Sequence, residues 1–383
     1  MRIGIVCYPT FGGSGVVATE LGIGLAKKGH KVHFVTYSQP HRFDYFSENL
    51  FYHEVNVENY PLFAYPPYEL ALASKMVDVV RYEKLDLLHV HYAIPHASAA
   101  YMAKQILATE GIKIPVVTTL HGTDITLVGK NASYAPVVTF SINASDGITA
   151  VSDSLRQETY DYFDIKKEIS VVPNFVDLER FKKQKKDHFK AAICPNGEKL
   201  VVHTSNFRKV KRVDDVIRIF HGIRQRMPAK LLLVGDGPER PRMEKLCREL
   251  KICEDVRFLG KLDAVEEVLS VADLFLMPSE KESFGLAALE AMACEVPIIS
   301  SNAGGLTELV QNGISGFTYP VGAVDQMING ALKILDDEAL PQYKHNALAR
   351  AREFDIGNIL PAYEEVYQKV LASEDLSTLN TAL

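Results

Sequence analysis

Short runs of apolar residues alternate with longer amphipathic stretches along the whole chain. RIGIVCY, KVHFVTY, LLHVH, IPVVTTL and GITAV in the first half read as strands. So do KLVVHTS, AKLLLVG, VRFLG, LFLMPS and VPIISS in the second. Runs this short and this uniformly apolar suit strands buried on both faces. Between them GVVATELGIGLAKKG, closed by Gly29, and HASAAYMAKQILATEG, closed by Gly111, have helical spacing, as do RVDDVIRIFHGIRQRM and ERPRMEKLCRELK. This alternation is the pattern of parallel sheets covered by helices, so two doubly wound, Rossmann-like α/β domains are expected. The join is expected around SVVPNFVDLERF, where Pro173 and Asn174 interrupt the pattern, giving domains over 1–170 and 171–357. Near the end, ILPAYEEVYQKVL places Ile359, Tyr363, Val366, Tyr367 and Val370 on one face of a last helix that needs a surface to cover.

Length and composition agree with two domains: 383 residues exceed one ordinary core, at a prior of roughly 150 per domain. The formal net charge of -6 lacks the basic excess that a nucleic-acid protein needs, although a local pocket can still be positive. The five cysteines are scattered and never spaced Cys-x-x-Cys, which argues against a disulfide framework or zinc knuckle and for a reducing compartment. The opening MRIGIVCYPTFGGSG breaks at Pro9 and reads as a first strand, since a signal peptide needs a longer apolar core. No uncharged apolar run approaches the roughly 20 residues needed to cross a bilayer, so a cytoplasmic protein with no integral membrane segment is expected. The basic run KKQKKDHFK is expected to be a solvated loop or helix face.

Candidate chemistry begins at IGIVCYPTFGGSGVVATELG, where Gly13, Gly15 and Ala18 follow a strand and open a helix in the dinucleotide spacing Gly-x-Gly-x-x-Gly/Ala. An NAD-dependent oxidoreductase would carry an acid at the end of the second strand to hold a ribose, but Thr36, Tyr37 and Ser38 stand there. The glycines still let a backbone approach a ligand, and helix-start amides favour negative charge, so Gly13 and Ser14 are candidate contacts. A tight turn serving only helix packing is the alternative. His89 and His91 alternate on one strand, with His96 and His121 beyond. Such a pair offers two metal ligands, but no acidic or cysteine cluster completes it, and no metal is expected.

In the second half three strand ends converge on one sheet edge. HTSNFRKVKRVDD supplies Arg208, Lys209, Lys211 and Arg212 before a helix, LLVGDGPERPR ends in a glycine turn, and MPSEKESFGLAALEAM ends in another helix start. Guanidinium and ammonium groups beside a helix N-terminus suit a diphosphate. The helix is expected to begin near Phe284 or Gly285, leaving Glu282 ahead of it and Glu290 one to two turns inside. Each carboxylate can accept two hydroxyl hydrogen bonds, which matches the sugar ring and the ribose on either side of a nucleotide sugar's phosphates. Their bland alternatives are a favourable charge near the helix dipole and an exposed helix residue.

At these residues a resemblance becomes specific. ESFGLAALEAMACEVPIISSNAGGLTELVQNGISGF, VVPNFVDLERF and VGDGPERPRME resemble the retaining glycosyltransferases of family 4, which have the GT-B fold of two Rossmann-like domains facing a cleft. The resemblance implies that Arg208 and Lys211 grip the diphosphate and that Glu290 holds the ribose. It also implies that Glu282 and the backbone of Ser283, Phe284, Gly285 and Leu286 meet the sugar and phosphates, and that His121 meets the donor sugar. The chain departs from many members at SNFR, where they carry a Gly-Arg step; Asn206 and Arg208 lie in that stretch. A last helix over about 358–378 that returns to the first domain is implied too, as is single-faced transfer in which the departing phosphate takes the acceptor's proton, without a metal.

PTFGGSGVVATELG, HVHYAIPHASAAYMAK and TTLHGTDITLVG resemble members that move N-acetylglucosamine from UDP-N-acetylglucosamine to L-malate in bacillithiol biosynthesis. That implies these two substrates, with Tyr92, Thr119 and Lys130 as acceptor contacts by loop position. Another small-molecule, lipid or glycan acceptor fits the same architecture. An NAD-dependent oxidoreductase and a non-catalytic nucleotide-binding module are the alternatives of a different class, and homo-oligomerisation is left open.

Overall fold

A computed structural model describes residues 1–10, 12–43, 47–57, 65–129 and 131–381. The chain divides into two compact units, Met1–Asn174 with Ile356–Leu383, and Phe175–Asp355. The expected joins were at 170/171 and about 357/358.

In the first unit the strands are β1 (Arg2–Val6), β2 (Lys31–Thr36), β3 (Leu50–Glu54), β4 (Leu87–His91), β5 (Val116–Leu120), β6 (Gly147–Ala150) and β7 (Ser170–Val171). They form one parallel sheet in the order β3-β2-β1-β4-β5-β6-β7. The second unit holds β8 (Lys199–Thr204), β9 (Ala229–Val234), β10 (Val256–Gly260), β11 (Leu274–Met277), β12 (Ile298–Ser301) and β13 (Gly316–Tyr319). Its parallel order is β10-β9-β8-β11-β12-β13. The uniformly apolar runs occupy the middle of both sheets, where every residue of β4, β5, β11 and β12 is buried.

Three strands escaped the pattern, β3, β7 and β13, and all three are edges. An edge strand is covered on fewer sides, so LFYHE has no buried residue, GFTY has only Gly316, and neither carries a continuous apolar run.

Each sheet reverses its winding once, between β1 and β4 and between β8 and β11. At such a reversal successive crossovers leave toward opposite faces, which opens a crevice at the carboxyl ends of the two strands. Four loops are singled out by this topology alone: those after β1, β4, β8 and β11.

The last helix, Ile356–Thr381, belongs to the first unit. Tyr363 and Tyr367 are fully buried, with Ile359 and Val370 nearly so. Ile356 and Leu360 press against Gly24 of the helix Gly13–Lys27, and Val366 and Val370 against Gly147 of β6. The basic run after Phe181 is not simply solvated: Lys183 pairs with Glu295 at 3.3 Å, Lys186 with Glu267 at 2.7 Å, and Lys190 with the buried Asp273 at 2.7 Å. It fastens its segment to the second unit.

Candidate active site

The second unit brings the basic loop after β8 beside the acidic loop after β11. Lys211 Nζ lies 2.6 Å from Glu282 Oε1, and the Glu280 amide donates to the Val210 carbonyl at 2.8 Å. Beneath them the buried His203 joins the two strands, with Nδ1 2.8 Å from the Leu276 carbonyl and Nε2 2.8 Å from Ser205 Oγ. Burial lowers its pKa to about 4, so the imidazole is neutral and acts as a hydrogen-bonding strut. Arg208 and Asn206 are exposed, and the Arg208 guanidinium has no ion-pair partner among the described residues. Arg212 is committed elsewhere, to Asp215 at 2.6 Å.

Gly285, at φ +98°, ends the acidic loop, and the helix Leu286–Ala293 follows. Ala288 and Leu289 donate to the Gly285 carbonyl, so Leu286 and Ala287 hold the amides that helix geometry leaves without an intrahelical acceptor. Its N-cap, Gly285, has no side chain with which to cap this start. Ser283 and Phe284 are braced by the NAGG turn: the Gly305 amide donates to the Glu282 carbonyl at 3.1 Å, and a Cβ on Gly305 would lie 2.4 Å from the Ser283 carbonyl oxygen. Glu290 is only 8% exposed, which removes its reading as an exposed helix residue. Burial together with the Glu290 carboxylate pushes the Cys294 thiol up, so that cysteine is inert. All five cysteines are free, and only Cys253 is exposed.

The glycines of VGDGPE do a different job from the one their place at a strand end suggests. A Cβ on Gly235 would fall 1.8 Å from the Ser205 carbonyl oxygen, and one on Gly237 2.1 Å from that of Asn206. The β9 turn is therefore a backbone shelf under the loop that presents Arg208 and Lys211.

In the first unit the corresponding loops build a network of neutral groups. Ser14 Oγ, in the first turn of the helix Gly13–Lys27, lies 2.7 Å from the Tyr92 hydroxyl. His91 Nδ1 lies 2.8 Å from His121 Nε2. His89 bonds the Tyr367 hydroxyl and Thr119 Oγ1, each at 2.7 Å, so it is a satisfied core residue. Burial lowers the pKa of His89 and His121 to about 3 and of His96 to about 4. The His121 imidazole is therefore neutral. Gly15 packs its Cα against the backbone of Tyr8 and Thr10, where a Cβ would meet carbonyl oxygens at 2.5 and 2.7 Å. Gly15, the second glycine of the dinucleotide spacing, is thus required by the turn itself.

Thr119 requires a correction. It is fully buried, and its hydroxyl is shared by His89 and Thr149 Oγ1 at 2.7 Å each, so the interior of the sheet has already claimed it. Lys130 lies outside the described residues. Asp124 is a residue the sequence reading passed over. Its carboxylate accepts the amides of Gly122 and Ala93, each at 2.9 Å, and so fixes the residues next to His121 and Tyr92. Burial raises its pKa to about 6 against those bonds. HGTD carried no local signal for this role, because an Asx turn bonds the amide two residues after the Asp, whereas Asp124 accepts from Gly122, two residues before it.

Lys211 paired with Glu282 ahead of the helix start, Arg208 exposed on the same basic loop, and Glu290 buried inside the helix are the charged groups that these two loops and the helix carry. The chain matches the family described as Glycosyltransferase Family 4 over residues 11–180, and that described as Glycosyl transferases group 1 over residues 184–353. It belongs to the family 4 glycosyltransferases, and its two units are the Rossmann-like domains of the GT-B fold. It is 48% identical over 380 residues to the N-acetyl-alpha-D-glucosaminyl L-malate synthase of Bacillus anthracis, covering 98% of both chains. It is also 27% identical to an uncharacterized glycosyltransferase of Methanocaldococcus jannaschii, covering 90% of this chain and 91% of that one. Among solved structures, sucrose-phosphate synthase from Thermosynechococcus elongatus superposes with a TM-score of 0.79 at 20% identity, covering 97% of this chain and 100% of that one. Anabaena HepE, solved with UDP and glucose, gives 0.79 at 20%, covering 96% and 99%. Family membership removes the oxidoreductase and the non-catalytic module as readings. No helix among the described residues is long and apolar enough to cross a membrane.

Proposed function

We propose that the protein transfers N-acetylglucosamine from UDP-N-acetylglucosamine to the hydroxyl of L-malate with retention at the anomeric carbon. The observation that carries this reading is the 48% identity, over 98% of both chains, to a relative of that named activity. The second unit holds the donor: Arg208, Lys211 and the amides of Leu286 and Ala287 take the diphosphate, Glu290 the ribose, and Glu282 a sugar hydroxyl through Oε2. Its other oxygen is already on Lys211. On the first unit, Tyr92, whose hydroxyl lies 2.7 Å from Ser14 Oγ, is the proposed contact for the dicarboxylate acceptor.

In the transfer, the bond from the anomeric carbon to the diphosphate oxygen breaks as the bond to the malate oxygen forms on the same face. The malate hydroxyl proton passes to the departing diphosphate. Protein cations and helix amides carry the charge that develops on the leaving group, so no divalent metal takes part. The test is UDP release from UDP-N-acetylglucosamine, measured with and without L-malate and with EDTA present. Release only when malate is added, unchanged by EDTA, is expected. Binding of NAD without UDP release, or a strict need for added metal, would contradict the proposal.

A further inference from the structure

Outside the candidate active site, three metal-donor side chains meet on the face of the first sheet that the helix Tyr68–Glu83 covers. Register places His33 of β2 opposite Phe51 of β3, and His53 opposite Val35. Since side chains alternate along a strand, His33, Val35, Phe51 and His53 share one face. Val35 packs there with Leu72, Met76, Val77 and Val80 of that helix, whose last residue is Glu83. His33 Nδ1 and His53 Nε2 are 3.0 Å apart, and each of His33, His53 and Glu83 offers a donor atom within 4.8 Å of the others. The His33 ring is buried and stacked on Phe51 at 4.5 Å, while His53 and Glu83 are half-buried and open to an entering ion.

We propose that His33, His53 and Glu83 form a binding site for one divalent transition-metal ion of the zinc class, with water as the fourth ligand. Two imidazole nitrogens bound to one tetrahedral zinc at about 2.0–2.1 Å lie roughly 3.3–3.4 Å apart, so the histidine pair needs a movement of a few tenths of an ångström and the Glu83 carboxylate one of at most about 1.5 Å. Two imidazoles and one carboxylate are a donor set that zinc takes and that calcium or magnesium, which prefer oxygen, do not. The site joins the middle of β2 to the penultimate residue of the edge strand β3, two strands away from β4 at the winding reversal. Its role is to fasten the edge strand β3 and the end of the helix Tyr68–Glu83 to β2. It is independent of the transfer reaction, so the metal-free activity assay and the metal titration can fail separately.

The test uses the full chain, stripped with chelator and titrated with Zn²⁺ and with Co²⁺. One equivalent is expected to bind tightly, Co²⁺ to give the visible absorption of a tetrahedral nitrogen and oxygen site, and Zn²⁺ at a hundredfold excess over Kd to raise Tm by about 5 °C or more. His53→Gln and Glu83→Gln should each weaken binding at least tenfold, whereas His188→Gln, on the second unit, should leave it unchanged. Circular dichroism and metal-free Tm establish that the variants fold, and His53→Asn serves as a second probe if His53→Gln does not. Absence of a stoichiometric site, an octahedral Co²⁺ spectrum, or affinity unchanged in folded His53 and Glu83 variants would overturn the proposal.

Discussion

Lys211→Ala is expected to lower kcat/KM for the sugar nucleotide at least tenfold, and about a hundredfold if its charge is aimed at the departing diphosphate. One well-placed charged donor in such a site is worth about 3 kcal/mol of transition-state stabilisation. A second consequence of the substitution must be separated from the first. Lys211 also neutralises Glu282, whose side chain is only 10% exposed, and removing one partner of a half-buried pair leaves the other uncompensated. The double variant Lys211→Ala/Glu282→Gln resolves the two effects. With the single variant Glu282→Gln measuring the loss of that residue's own sugar contact, a loss from missing charge on the phosphate leaves the double variant no better than Lys211→Ala, whereas a loss from a stranded carboxylate makes the double variant as active as Glu282→Gln. Lys211→Arg keeps the charge and should retain more activity than alanine, though not all of it, because a planar fork does not reproduce a compact ammonium.

Gly235→Ala is expected to destabilise the second unit by about 3 kcal/mol or more, with a fall in Tm of roughly 10 °C, and to raise KM for the donor. Two causes add. Gly235 has φ +116°, which an L side chain rarely adopts, and its Cβ would lie 1.8 Å from the Ser205 carbonyl oxygen. The atom it strikes is backbone, so relief requires moving the loop that carries Arg208 and Lys211. Gly260→Ala is the matched control. Gly260 also has positive φ, at +71°, but no atom lies within 4 Å of its Cβ. That variant should lose only the strain of a left-handed residue, about 1–2 kcal/mol, with KM unchanged. Equal effects from the two substitutions would show that the shelf under the basic loop does not position it.

How much of this was legible in the sequence depended on whether a residue's signal is local. The nine central strands stand out because burial on both faces leaves an unbroken apolar run; of the four edges only β10, as VRFLG, carries enough apolar residues to be read, whereas β3, β7 and β13 do not. The start of the helix at Leu286 was readable because Gly285 punctuates the chain there. The meeting of Lys211 and Glu282 was readable one level up, since a doubly wound sheet puts the loops after β8 and β11 on either side of its winding reversal. The packing partners were not readable. Nothing in GDG says that its glycines face Ser205 and Asn206, and nothing in TTL says that Thr119 is taken up by His89 and Thr149. Such contacts join residues distant in sequence, and one chain carries no trace of the pairing. His33, His53 and Glu83 were missed for the same reason: a metal-like spacing exists only after β3 is laid beside β2.

The most direct test is where a bound donor places its phosphates. A crystal structure of the protein with UDP-N-acetylglucosamine should show diphosphate oxygens about 3 Å from the Leu286 and Ala287 amides and within ion-pair reach of Arg208 and Lys211, with ribose hydroxyls on Glu290. A donor held with its phosphates away from that helix start, or with its ribose far from Glu290, would contradict it.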